Sequence, residues 1–142
     1  MKKVLAVGLL LVGLVGGARS QSVSPQDELE IRNWMEQAVR ALESEDLPAV
    51  LSTLDPASPF RPQAEQLGKS LFEQFDLRYE LEDMQVGRST PEGVEVRATL
   101  AARRTGGAAF RDVRATVFGL LRKTTNGYKL YTGRIEKREY LE

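Results

Sequence analysis

Leu71-Phe72-Glu73-Gln74-Phe75-Asp76-Leu77-Arg78-Tyr79-Glu80-Leu81-Glu82 changes its hydrophobic rhythm halfway along. Before Asp76 the apolar residues Ala64, Leu67, Leu71, Phe72 and Phe75 recur every three or four positions, which places them on one side of a helix. From Leu77 onward Leu77, Tyr79 and Leu81 alternate with Arg78, Glu80 and Glu82, the period of a strand with one buried face. The chain therefore divides near Asp76 into a helical first part and a β second part.

Upstream, the spacing predicts three helices. Ser24-Pro25-Gln26-Asp27 combines an N-cap, a proline at the first helical position and an acid in the first turn. The stripe that follows is Ile31, Trp34, Met35, Ala38, Val39 and Leu42. Glu43 to Asp46 breaks it, Asp46 can cap, and a short second helix carries Leu47, Val50, Leu51 and Leu54. Asp55-Pro56-Ala57-Ser58-Pro59-Phe60-Arg61-Pro62 must turn, because each proline removes a donor and biases its predecessor away from the helical region. The third helix covers about 63–75.

Downstream, four antiparallel strands are expected. After Asp83 the apolar residues resume at Met84 and Val86, as a bulge or kink would allow. Val94, Val96, Ala98, Leu100 and Ala102 alternate in the second strand; Gly106-Gly107 turns the chain into a third, from about Phe110 to Lys123. Asn126-Gly127 is the dipeptide of a tight hairpin, leading into a fourth strand over Tyr128 to Glu136. The expected class is α+β: three N-terminal helices packed on a four-stranded antiparallel sheet. Alternation assigns Val113, Ala115, Val117, Leu121, Tyr128 and Leu130 to one face of the last two strands. It assigns Phe118, Leu120, Tyr131 and Ile135 to the other. Both faces being apolar, we expect the second to be covered by another copy of the chain, a homodimer.

The N-terminus reads as a secretory signal. Lys2 and Lys3 precede an uncharged run from Val4 to Val15, and the small residues around Ala18 and Ser20 suit signal peptidase. The run is too short and too rich in Gly to span a bilayer, so no stable membrane anchor is expected after cleavage. The expected organisation is a signal over 1–20, a linker over 21–24 and one domain over 25–142, located in the periplasm or secreted. Cleavage removes Lys2, Lys3 and Arg19 but no acid, tipping the balanced 20 bases and 20 acids of the whole chain towards acid. A nucleic-acid partner is therefore not expected. With no Cys, the domain must be stable without disulfides.

Two segments resemble a known superfamily. Trp34, followed by Ala41-Leu42-Glu43-Ser44-Glu45-Asp46-Leu47-Pro48-Ala49-Val50-Leu51, is similar to the opening of the nuclear transport factor two-like superfamily, also called SnoaL-like, with a cystatin-like fold. There a first helix passes through a short acidic break into a second. Leu120-Leu121-Arg122-Lys123-Thr124-Thr125-Asn126-Gly127-Tyr128-Lys129-Leu130-Tyr131 resembles its closing hairpin. The resemblance implies a curved sheet wrapped around the first helix, a cone with a pocket between helices and concave face. It also implies a range of roles, from isomerases, dehydratases and hydrolases to binding domains without catalysis. Asp55 to Pro62 is shorter than the early hairpin of many members.

The absence of His and Cys excludes imidazole and thiolate chemistry. A pocket enzyme would have to work with Asp, Tyr and Arg, from Asp55, Asp83, Asp112, Tyr79 and Tyr131. No motif aligns them, so no catalytic residue is assigned. A cross-strand ion pair of Asp112 with Arg97 is the plainer reading of the third strand, and Arg103-Arg104 that of a solvated turn. No metal site and no cofactor are expected. If a cavity exists, Trp34, Phe72, Tyr79 and Tyr128 should line it, with the Trp34 indole N–H hydrogen-bonded. The expected function is non-enzymatic binding of a small apolar molecule or a protein partner, with the Asp/Tyr pocket enzyme as the alternative.

Overall fold

The computed structural model describes residues 21–141; the expected signal over 1–20 lies outside the described residues. A two-residue strand β1 (Gln21–Ser22) precedes helices α1 (Pro25–Glu43), α2 (Leu47–Ser52) and α3 (Arg61–Gln74). Four long strands follow: β2 (Phe75–Thr90), β3 (Gly93–Gly107), β4 (Val113–Thr124) and β5 (Gly127–Tyr140). They form one antiparallel sheet in chain order. The segment expected to be a linker is thus partly strand: Gln21 and Ser22 pair with Ser89 and Arg88, adding a fifth strand to the edge. No described helix is long and apolar enough to cross a membrane.

The helices begin where their caps require. Ser24 Oγ accepts from Asp27 N at 3.1 Å and Asp46 Oδ1 from Ala49 N at 3.1 Å, each satisfying an orphan donor of a first turn. α1 lies in the concave face of the sheet. Its Ile31 and Met35 are buried against Met84, Val94, Val96, Ala98, Leu121 and Tyr128. Full burial of Ile31 and of Leu121 is worth about 1.5–3 kcal/mol each.

Bulges bend the sheet. Pairing slips by one residue at Glu82, between the pairs Leu81–Leu100 and Asp83–Thr99. It slips again at Tyr131, between Leu121–Leu130 and Leu120–Thr132, and at Glu136, between Val117–Ile135 and Thr116–Lys137. Each of these three inserted residues meets an arginine: Glu82 pairs with Arg114, Tyr131 lies under the Arg122 guanidinium at 3.4 Å, and Glu136 receives Arg97 at 2.6 Å and Arg134 at 3.3 Å. The slips lengthen the convex side relative to the concave one, so the sheet curls towards α1.

Three expectations are corrected by this register. Ile135 does not share a face with Phe118 and Leu120, because the slip at Tyr131 turns it to the concave side, opposite Val117. Asp112 does not pair with Arg97; it precedes β4, accepts from Arg104 N at 2.9 Å and lies 4.0 Å from Arg103, while Arg97 takes Glu136. The third long strand begins at Val113 rather than near Phe110, whose ring packs edge-on against Phe75 at 5.4 Å.

Candidate functional site

The loop between α2 and α3 organises the site. After Leu54 the chain runs alongside β5: Leu130 N donates to Thr53 O at 3.0 Å and Asp55 N to Leu130 O at 2.8 Å. The proline-bounded turn then folds on itself. Ser58 N donates to Asp55 O at 2.8 Å and Ala57 N to Asp55 Oδ1 at 2.9 Å. The buried Ser58 hydroxyl donates to Tyr131 O at 2.6 Å and accepts from Phe60 N at 3.2 Å. β5 is therefore held from outside at Leu130 and Tyr131, the place where its register to β4 slips.

This loop carries α3 across the open side of the sheet and leaves a cavity of about 500 Å³ beneath it. Trp34 and Met35 of α1 form one wall, and Leu54, Phe60, Gln63, Ala64 and Leu67 form the roof. The floor is the concave face: Val96, Ala98, Val117, Gly119, Leu121, Leu130, Gly133 and Ile135. Gly119 and Gly133 face each other across β4 and β5. A Cβ at Gly119 would come within 2.9 Å of Leu130 Cδ1, so the absent side chains make room for Leu130 and deepen the floor. Leu67 and Ile135 are 61% and 51% exposed at the mouth. An opening of this size, with apolar walls and few polar groups, has the character of a small-molecule site.

Of the four residues expected to line a cavity, only Trp34 does. Its indole N–H donates to Thr53 O at 3.0 Å, fixing the ring against the opening. Phe72 lies half-buried on α3, away from the cavity lining. Tyr79 sits on β2 beside the end of α1, where its backbone N–H donates to Glu43 Oε2 at 3.2 Å. Burial, with Glu45 and Glu43 nearby, pushes its phenol up to about 12. Tyr128 is buried in the core and borders a separate, more polar depression with Lys123 and Glu92. Burial raises its hydroxyl as well.

The acids proposed for a pocket enzyme stand elsewhere. Asp55, Asp83 and Asp112 line no part of the cavity, nor do Tyr79 and Tyr131. Arg104 donates to Ala108 O and Gly107 O, closing its own turn. Among the described residues no cluster of acidic side chains has the geometry of a metal site. What sequence reading missed is the roof and the floor: Phe60, Gln63, Leu67, Ile135 and the paired glycines. Two glycines inside strand-like runs were the available signal, since such positions mark close backbone approach or a bulge.

Comparison with known proteins agrees with this fold. A family model described as "Anti-sigma-I factor RsgI9, C-terminal domain" matches residues 33–141. No curated protein sequence matches. Among solved structures, a provisionally assigned aromatic ring hydroxylase from Novosphingobium aromaticivorans superposes with a TM-score of 0.71 at 16% identity, over 84% of this chain and 96% of that one. A ketosteroid isomerase-like protein from Erwinia carotovora atroseptica gives 0.61 at 17% identity, over 84% and 99%. An NTF2-like protein of unknown function from Pseudomonas putida gives 0.61 at 14%, over 80% and 88%. At such identities the likeness establishes the fold, which is the nuclear transport factor two-like fold expected from the sequence.

Proposed function

The chain belongs to the family of the anti-sigma-I factor RsgI9 C-terminal domain, and from that premise we propose that it is an extracytoplasmic binding domain that takes a small apolar molecule in the cavity under α3. The observation that carries this reading is the cavity itself: about 500 Å³, open at one side, with walls that are apolar apart from Gln63 and Arg134. Volumes of this order enclose ligands of drug-like size. The family takes its name from a domain of a regulator, which suits recognition better than turnover. The isomerase-like and hydroxylase-type relatives lend the fold, but the acids and phenols this chain would need for such chemistry stand outside the opening.

The test is direct. N-phenyl-1-naphthylamine, an uncharged dye that brightens in apolar surroundings, should bind the purified protein and quench Trp34. Val117→Trp, which places a large ring in the floor, should abolish the signal while leaving the circular dichroism unchanged. Equal brightening with both proteins would sink the reading.

Export and self-association belong to the same proposal. Cleavage near Ser20 would release a chain beginning close to Gln21. Two copies would meet through the convex face around Phe118, Leu120 and Tyr131. Native mass spectrometry of the protein recovered from the extracytoplasmic fraction reads both at once. A dimer of the shortened chain is expected; absence from that fraction would overturn the export reading, a full-length mass would overturn the cleavage, and a monomer at micromolar concentration would overturn the pairing.

A further inference from the structure

Resting on the ligand-binding reading above, we infer that the cavity selects an uncharged molecule with an apolar body and one hydrogen-bonding group, a hydroxyl or carbonyl, which meets Gln63, and that it discriminates against the corresponding anion. Among the described residues, Arg134 is the one charged residue of the lining. An arginine in a cavity wall ordinarily marks a site for a carboxylate or phosphate. Here Arg134 and Phe118 both border the opening, but the charge is already engaged by partners of its own. Strict alternation along β5 from Leu130 would turn Arg134 inward, opposite Val117, and Ile135 outward. The slip at Tyr131 exchanges them: Ile135 pairs with Val117 on the concave side, and Arg134 pairs with Phe118 on the convex side. The Arg134 guanidinium accordingly lies 4.4 Å over the Phe118 ring and 3.3 Å from Glu136 Oε2.

The remaining polar groups leave one contact to the ligand. The Trp34 N–H is committed to Thr53 O at 3.0 Å. No other lysine, arginine or acid lines the cavity. Gln63, in the first turn of α3, supplies the one neutral polar side chain of the wall among the described residues and is exposed at the mouth. An anion drawn beneath α3 would lose its water without gaining a counter-charge, which is costly. A neutral hydroxyl or carbonyl at the mouth would keep one hydrogen bond, while the body of the molecule rests on Trp34, Val117 and Ile135.

Competition against bound N-phenyl-1-naphthylamine, using three molecules of one shape, tests this. 2-Naphthalenemethanol should displace the dye at a concentration at least tenfold lower than 2-naphthoate; any smaller ratio overturns the charge selectivity. Gln63→Leu should raise the concentration of 2-naphthalenemethanol required by threefold or more and leave that of 2-methylnaphthalene unchanged. Equal effects on the two, or none, overturn the role of Gln63. If the dye itself fails to bind the unaltered protein, the binding reading falls and this inference falls with it. Dye binding with an inverted or flat order among competitors removes the inference alone.

Discussion

Ser58 pins the loop that leads into the roof of the opening. Its hydroxyl bonds Tyr131 O and Phe60 N at once, inside a buried turn. Ser58→Ala would leave both backbone groups without that partner, and the cost expected is about 1–3 kcal/mol. Urea unfolding of the two proteins checks this, and equal midpoints would deny Ser58 its anchoring role. Trp34 works differently. Thr53 O, its acceptor, also receives Leu130 N. The ring is therefore tied to the same point at which the loop grips β5, so a disturbance of that grip should reach the cavity wall.

Among the elements, β5 decides most. Its first residues pair with β4 after the Asn126-Gly127 turn, where Gly127 takes a positive φ of 93°. Then the loop after α2 takes hold of its outer edge, and the register slips at Tyr131 and again at Glu136. The inserted side chains go to the convex face, where arginines stack on or pair with them. Such contacts are individually small, about 0.5–1 kcal/mol for an exposed cation over a ring. Their consequence for the element is larger than their energy, because a one-residue slip exchanges which residues face the cavity. α3, by contrast, buries only Gly68, which lies close against Leu47 of α2. It is a roof held by the loop and by α2.

For the molecule as a whole, exposed ion pairs set the response to acid. Hydrogen bonds from Arg114 hold the Glu82 carboxyl below its ordinary 4.5, those from Arg97 do the same for Glu136, and Lys123 holds Asp27 below 3.8. These groups bind protons later in the folded chain than in the unfolded one. Their stabilisation is complete above the ordinary carboxylate range and is lost as pH falls through it to the lowered folded values. Urea midpoints should be level between pH 7 and about pH 5 and decline below about 4.5, with a smaller decline in Glu136→Gln. A midpoint at pH 3 as high as at pH 7 would contradict the assignment. Being exposed, the pairs should also weaken with salt.

Local chemistry was enough to determine the order of the three helices and four long strands, the helix caps, the turn at Asn126-Gly127 and the break in alternation after Leu81. All of these depend on propensities and periods carried by neighbouring residues. Trp34 could be placed at the cavity for the same reason, since a helical stripe identifies its own buried face. Phe72, Tyr79 and Tyr128 were drawn to the cavity by their aromatic character, but only packing decides which side of a half-buried ring faces an opening. The exchange of Ile135 for Arg134 was beyond local reading altogether. It lies where a hydrogen bond joins Ser58 to Tyr131, 73 residues apart in the chain. Alternation predicts a strand's faces only while its register holds, and in this protein the register of β5 slips where a loop from the other half of the molecule meets it.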